Sequence, residues 1–237
     1  MKDIDKLQKI IDESNYIVFF GGAGVSTSSG IPDFRSKDGL YNQKFKYPPE
    51  IMLSSGFFYA NTKEFYKFYK DKFNLLNYKP NAVHNYLAAL EKKGKLKAII
   101  TQNIDGLHTK AGNTNVYEIH GTIYKNHCIK CNKEYDPEYV FESNGVPKCE
   151  CGGIIKPDVV LYGESLPDSF NEASYHITKS DTLIIAGTSL NVYPAAGMVN
   201  YFRGKHLVII NKDETQYDYK AEIVIHDDMK KVFEKLK

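Results

Sequence analysis

The chain predicts a doubly wound α/β fold built on a parallel sheet, and three observations carry that prediction. Short β-branched runs recur along it, each ending in glycine, asparagine or another polar residue: "YIVFFGG" (16–22), "LKAIITQN" (96–103), "TLIIAGTS" (182–189), "HLVIIN" (206–211) and "AEIVIH" (221–226). Their apolar residues are nearly continuous and do not alternate with polar ones, as in strands buried on both faces of a parallel sheet. Helical stretches separate several of the runs, and strands alternating with helices build an α/β layer structure.

The elements follow in order. Ile4, Leu7, Ile10 and Ile11 fall on one helical stripe within "MKDIDKLQKIIDESN". That segment is charged throughout, has no continuous apolar core, and so does not read as a signal peptide. Asn81 reads as the cap of a helix with Val83, Tyr86, Leu87 and Leu90 on one stripe and Gly94 as its stop. The last segment, "DDMKKVFEKLK", begins with acids and ends with lysines, as a helix dipole prefers.

Two stretches break the alternation. Residues 36–80 are rich in aromatics and lysine, with Pro48-Pro49 and then "EFYKFYKDKF", and read as a helical insertion. Residues 123–156 hold all four cysteines with Pro137 and Pro147 and read as a small lobe. The Rossmann-like core then comprises residues 1–35, 81–122 and 157–237 of a single 237-residue domain.

Composition narrows the function. Hydrophobic residues at 42% and charged residues at 25% lie in the ordinary soluble range. A net charge of +2 is too small to advertise nucleic acid as a partner. No apolar run approaches the roughly 20 residues of a membrane helix. The chain reads as cytoplasmic, with neither membrane nor nucleic acid as an expected partner.

In a reducing cytosol, four clustered cysteines are metal ligands before they are disulfides. Cys128-x2-Cys131 and Cys149-x-Cys151 form two short knuckles, the second one residue tighter than the commoner C-x2-C. Two close pairs supply the four soft ligands that tetrahedral Zn²⁺ prefers. Four thiolates leave no position for an activated water, so the zinc is expected to be structural and to supply free energy the small lobe lacks. Unpaired cysteines, or a zinc ribbon that binds nucleic acid, are the alternatives; the acids interleaved around the lobe speak against the latter.

Gly22-x-Gly24 after the first strand resembles the start of a dinucleotide fingerprint, although a tight turn alone accounts for it equally well. The acid that a dehydrogenase carries about 20 residues on is missing, since that position is Lys44. Pro32 forces Ile31 extended, so "SSGIPDFR" is a loop and not a simple helix. A dinucleotide here would have its nicotinamide end held by Asp33, Phe34 and Arg35, which suits cleavage better than hydride transfer. "TQNIDGLH" (101–108) sets Gln102, Asn103 and Asp105 just past a buried strand, where open α/β sheets bind ligands. "YEIHGT" places His120 at the end of a strand entering the same region, where imidazole serves as a base near neutral pH. His84, His108, His127, His176, His206 and His226 have no comparable setting. "AGTSL" (186–190) and Asn211 add small and amide residues at two further strand ends, suited to phosphates and ribose hydroxyls.

Taken together, "GAGVSTSSGIPDFRS", "TQNIDGLH", "IHG", the cysteine pairs, "KPDVVLYGE", "GTSLNVYP" and "IIN" resemble the sirtuin family of NAD-dependent protein-lysine deacylases, in family order along nearly the whole chain. The resemblance implies that Gly22, Ala23, Gly24 and Ser26 cradle NAD phosphates and that Asp33, Phe34 and Arg35 close over the nicotinamide ribose. It implies that Gln102, Asn103, Ile104 and Asp105 line the nicotinamide pocket, with Asn103 and Asp105 catalytic alongside His120. Gly187, Thr188, Ser189, Asn211 and, less centrally, Asp228 would hold the adenosine half. In sirtuins the acyl oxygen attacks the ribose as nicotinamide leaves, and His120 would take a proton from a ribose hydroxyl. The products would be free lysine, nicotinamide and O-acyl-ADP-ribose.

The same resemblance makes Val160, Tyr162, Gly163 and Glu164 the edge on which an acetylated peptide adds a strand, faced by Asn191 to Tyr193 with Val192 in contact; a plain buried strand is the alternative. Family members that remove succinyl groups carry a tyrosine and, three residues on, an arginine. Here those positions align with Tyr66 and Tyr69, so uncharged acyl groups are expected unless Lys67 or Lys70 substitutes. A protein ADP-ribosyltransferase or NAD glycohydrolase on the same scaffold is the alternative activity.

Overall fold

The computed structural model describes residues 3–237. Its main sheet has six strands: β1 (Ile17–Gly21), β2 (Leu96–Thr101), β3 (Val116–Glu118), β7 (Thr182–Ala186), β8 (His206–Ile210) and β9 (Ile223–Ile225). They lie in the order β3-β2-β1-β7-β8-β9, and every neighbouring pair is parallel. Within this sheet that is the order 3-2-1-4-5-6 of a dinucleotide-binding fold. A second, antiparallel sheet of β5 (Glu134–Tyr135), β4 (Gly121–Cys128) and β6 (Ile155–Val159) carries the cysteine region.

The strands are apolar throughout because each face of the main sheet has its own core. Ile17, Phe19, Ile99, Ile184, Val208 and Ile210 point to one side, where α1 (Asp3–Glu13), α5 (Ala82–Lys92) and α9 (Met229–Phe233) supply Leu7, Leu87 and Phe233. Val18, Phe20, Ile100, Leu183, Ile185 and Ile209 point to the other, against Ala173 and Ile177 of α8 (Ser169–Lys179) and Met198 of a 3₁₀ stretch. The two-residue alternation of Cβ directions thus puts apolar side chains on both faces.

The aromatic stretch forms α2 (Pro49–Met52), α3 (Ser55–Ala60) and α4 (Thr62–Phe73). Its side chains do not stand apart from the cysteine region. Phe58, Phe65, Tyr66 and Tyr69 share one cluster with Ile123, Val140 of α7 (Pro137–Glu142), Cys149 and Ile155. Helical insertion and cysteine lobe are therefore packed as one body beside the sheet.

Asn81 caps α5 as the sequence indicates: its Oδ1 accepts from Val83 N at 2.9 Å. Its Nδ2 donates to Val25 O at 2.8 Å and to Ser29 Oγ at 3.0 Å, which ties α5 to the turn after β1. His84 on α5 faces His108 on α6 (Leu107–Lys110), with ring centroids 4.7 Å apart. Both imidazoles are buried, and His84 Nε2 and both His108 nitrogens meet no hydrogen-bond partner.

Burial holds the His84 pKa down to about 4 and that of His108 well below the usual value. On acidification below about pH 6.5 the unfolded chain therefore takes up two protons that the folded protein refuses. Stability is expected to fall as pH drops, by up to about 1.4 kcal/mol per pH unit per histidine, until the folded imidazoles protonate. Urea midpoints measured from pH 7 to pH 4.5 check this, and His84→Gln should flatten the profile.

Candidate active site

β1 and β7 are adjacent, and the chain departs from them toward opposite edges of the sheet. Their C-terminal ends therefore flank the switch point where such sheets bind ligands. The chain leaves β1 through Gly22 into a 3₁₀ stretch, Ala23–Ser29, and leaves β7 through Gly187. These two turns touch: Gly24 N donates to Gly187 O at 2.9 Å, and a Cβ on Gly24 would lie 2.8 Å from Gly187 Cα. The missing side chains at Gly22 and Gly24 first let two strand ends meet. What the turn still offers a ligand is its backbone.

Ser26 is tied into the loop that follows β2. Its hydroxyl is buried, donates to Asp105 Oδ2 at 2.6 Å and accepts from Asn103 Nδ2 at 3.1 Å. The serine thus locks together two polar side chains that leave β2. Thr101 Oγ1 holds the same loop by accepting from Asn103 N at 3.0 Å, and Asp105 Oδ1 accepts from Leu107 N at 2.9 Å. Gln102 Nε2 reaches across to Thr188 Oγ1 at 2.9 Å, joining the β2 and β7 ends.

His120 lies two residues beyond the end of β3, not at its last position, because Gly121 already begins β4. Its Nδ1 lies 3.2 Å from the Gln102 carbonyl oxygen, and its own carbonyl accepts from Val160 N at 2.9 Å. A carbonyl can only accept, so Nδ1 carries the proton and Nε2 keeps its lone pair. Burial pushes the imidazole pKa below its usual value, against an opposing pull from the Gln102 carbonyl. Burial also pushes the Asp105 carboxyl up, although Ser26 and Leu107 stabilise its charge. Glu118, unremarked in the sequence, is raised to about 7 by burial, with Asp105 adding to it. The end of the sheet thus carries a neutral imidazole, the buried Asp105 carboxyl and the half-buried Glu118 carboxyl.

The remaining predicted residues are placed as follows. Asp33 Oδ1 accepts from Arg35 N at 3.0 Å and Ser36 N at 2.8 Å, so this carboxylate shapes its own loop. Phe34 and Ile104 are half-buried against the aromatic cluster, while Arg35 is exposed. Ser189 and Val192 are half-buried, and Asn211 Nδ2 donates to Asp213 O at 2.8 Å. Asp228 caps α9, its Oδ1 accepting from Lys231 N at 3.3 Å. The Glu164 carboxylate likewise turns inward, accepting from Lys156 Nζ at 3.1 Å and Leu161 N at 2.9 Å. The Glu164 N–H donates to Leu161 O at 2.9 Å, so only the carbonyl of Glu164 remains for an edge. Tyr162 and Gly163 are exposed, and Gly163 N–H and C=O have no backbone partner among the described residues.

Tyr66 and Tyr69 are both fully buried. Tyr66 donates its hydroxyl to Ile155 O, and the Tyr69 ring stacks on Phe65, Phe73 and Phe141. Lys67 is exposed, and Lys70 Nζ donates to Ser143 Oγ at 2.7 Å.

The four cysteines converge, with all sulfurs within 4.8 Å of one another. Sγ distances are 3.5 Å for Cys128–Cys151 and Cys131–Cys149 and 3.4 Å for Cys131–Cys151. Tetrahedral Zn–S bonds of about 2.3 Å put sulfurs roughly 3.8 Å apart, so the set fits zinc. Lys130 N donates to Cys128 Sγ at 3.4 Å, as a structural thiolate site requires. The tight second knuckle depends on Gly153, where a Cβ would lie 2.5 Å from Cys128 Sγ. Zinc there would cross-link β4 to the chain entering β6.

Comparison with known proteins agrees with this geometry. A family model described as the Sir2 family matches residues 22–194. An NAD-dependent protein deacetylase of Clostridium acetobutylicum is 57% identical, over 98% of this chain and 96% of its own. One from Clostridium perfringens is also 57% identical, over 98% of each. A solved Sir2 bound to an acetylated peptide superposes with a TM-score of 0.88 at 38% identity, covering 99% of this chain and 96% of that one. A Sir2 complex with p53 peptide and NAD⁺ gives 0.88 at 39% identity over the same shares. Among the described residues no helix is long and apolar enough to cross a membrane. On the family match and on identity along nearly its whole length, the chain belongs to the Sir2 family.

Proposed function

We propose that this chain is an NAD-dependent protein-lysine deacetylase that works in the cytoplasm. The observation that carries the reading is His120: its proton sits on Nδ1 against the carbonyl of Gln102, the residue before Asn103 of the Asn103–Ser26–Asp105 network, and Nε2 keeps its lone pair. NAD, as co-substrate, supplies a glycosidic bond whose cleavage drives transfer of the acyl group to ADP-ribose. The turns at Gly22–Gly24 and Gly187–Ser189 would take its phosphates and adenosine half. Loop 31–35 and Gln102 to Asp105 would enclose the nicotinamide end. Asp105, with its carboxylate fixed by Ser26, presents negative charge where the ribose loses nicotinamide. His120 Nε2 accepts a proton from a ribose hydroxyl, as a neutral imidazole of lowered pKa can.

The acetyl-lysine peptide would enter between two stretches with unpaired backbone. Gly163 offers N–H and C=O on one side, and Asn191, Val192 and Tyr193 offer N–H groups on the other, none with a backbone partner among the described residues. Strand addition to such edges demands little of the peptide sequence.

Uncharged acyl groups are favoured because Tyr69 fills the arginine position within an aromatic stack and Lys70 is held by Ser143. A succinyl carboxylate would be buried unpaired, at a cost of about 3 kcal/mol or more. Incubation with NAD and a panel of acyl-lysine peptides tests both points. The acetyl peptide is expected to lose its acetyl group, with kcat/KM for succinyl-lysine about 100-fold lower. Gain of ADP-ribose by the peptide, or nicotinamide release without peptide, would point to a transferase or glycohydrolase.

A further inference from the structure

The loop that follows the glycine turn folds back on itself. Leu40 N donates to Asp33 O at 2.9 Å and Tyr41 N to Phe34 O at 2.8 Å, and Asn42 Nδ2 closes the end on Ser36 O at 2.6 Å. Gly39 fits here because a Cβ would lie 2.7 Å from Arg35 N. Tyr41 is the hub of this fold-back. Its ring meets Phe34 edge-on with centroids 5.5 Å apart, and the Arg35 guanidinium lies 5.3 Å from its centroid. The tyrosine therefore cannot move without the three residues expected to enclose nicotinamide.

The Tyr41 hydroxyl leaves the loop and meets the Tyr162 hydroxyl at 2.7 Å. Tyr162 is equally fixed. Its N–H donates to Leu53 O at 2.9 Å and its carbonyl accepts from Ser55 N at 3.0 Å, forming a parallel bridge with Ser54. Two residues upstream, Val160 N bonds the His120 carbonyl. Among the described residues, the hydroxyl pair is the only hydrogen bond between residues 31–42 and 160–164. Tyr41 is half-buried, and burial, with the Tyr162 hydroxyl beside it, raises its phenol well above the usual value, so it keeps its proton at neutral pH.

We propose that Tyr41 and Tyr162 are a positioning pair whose hydroxyl–hydroxyl bond fastens the nicotinamide-side loop to the substrate edge and holds both in register with His120. The pair touches neither reacting bond and acts through Phe34 and Arg35 on one side and Val160 on the other. Its catalytic consequence rests on the deacetylase reading; the fastening itself does not.

Tyr41→Phe and Tyr162→Phe remove the two hydroxyls and nothing else. In the ligand-free protein, amide hydrogen exchange at Leu40 and Tyr41 is expected to quicken about fivefold in either variant, as loss of one neutral hydrogen bond predicts. The double variant should match each single one, because a hydroxyl without its partner has nothing left to lose. Tm should fall by no more than about 2–4 °C and main-sheet exchange should quicken no more than that of Leu40 and Tyr41, as loss of a single bond allows. In steady state with saturating acetyl peptide, each variant should raise the NAD KM by a similar factor while kcat changes little. Unchanged exchange at Leu40 and Tyr41 in the single variants, or a double variant equal to the product of the singles, would overturn the pairing. If exchange responds as expected but the wild-type protein releases no acetyl group, the fastening stands and the deacetylase reading falls.

Discussion

His120→Ala is expected to lower kcat/KM for acetyl-lysine peptide by about 10²–10⁴-fold, the range removed with a positioned general base, while fold and NAD affinity remain close to those of the wild type. The imidazole contributes little to the core: its ring is only half-buried, and its one side-chain bond goes to the Gln102 carbonyl. The His120 backbone bond from Val160 N survives any side-chain change. The wild-type pH profile should carry the same signature. Burial keeps the His120 pKa below the ordinary imidazole value, so the basic form dominates at neutral pH. Activity is thus retained as pH falls to 6.5 and lost only on further acidification, when Nε2 takes a proton. Steady-state rates across pH 5–8, with NAD binding followed by calorimetry, check both parts. A variant within tenfold of the wild type at pH 7 would remove His120 from the role of base.

The sheet was legible in the sequence because nearly continuous β-branched runs have one physical home, a strand covered on both faces. β1, β2, β7, β8 and β9 each lie within one of those runs. The zinc ligands were legible for a similar reason, since soft ligands in close pairs have few other uses. What sequence reading missed are relations across long separations. Ser26 and Asp105 are 79 residues apart, and nothing local says that the serine donates to that carboxylate. Glu164 and Asp228 are named by the family resemblance alone, and their local hydrogen bonds carry no signal in the sequence. Each accepts a backbone N–H, Glu164 from Leu161 and Asp228 from Lys231. The aromatic insertion and cysteine region looked like two units because composition changes between them, whereas their buried rings pack together. Tyr162 reads in the sequence only as part of the peptide edge, and its pairing with Tyr41 carries no signal: a hydroxyl pair 121 residues apart is a property of the fold.

Removal of zinc is expected to unfold the cysteine lobe and abolish activity while leaving the six-stranded sheet folded. Apart from its packing on the aromatic cluster the lobe has little regular structure at the cysteines, since β5 is two residues long and the turn at Gly153 sits against Cys128 Sγ. Structural zinc contributes about 10–16 kcal/mol in small metal-bound folds, as much as the entire stability of an ordinary domain. No redistribution of contacts in β4, β5 and β6 replaces that. The damage spreads along two routes. β4 begins at Gly121, directly after His120, and β6 ends at Val159, directly before the residue that bonds the His120 carbonyl. Cys128 and Cys149 also pack in the cluster that holds Phe34 and Ile104, so the loop that carries Phe34 loses its support. The two cores of the main sheet contain no residue from 123–156 and should persist. Cys151→Ser, or a strong chelator with the wild-type protein, should therefore lower bound zinc from one per chain, speed hydrogen exchange throughout 123–156 and stop deacetylation. Exchange in β1, β7 and β8 should stay slow. Readdition of zinc to the chelated protein should restore both protection and rate together, because one event, closure of the four-sulfur site, underlies both. A metal-free protein that keeps its lobe protected and its activity intact would mean that the aromatic packing suffices and the metal is dispensable.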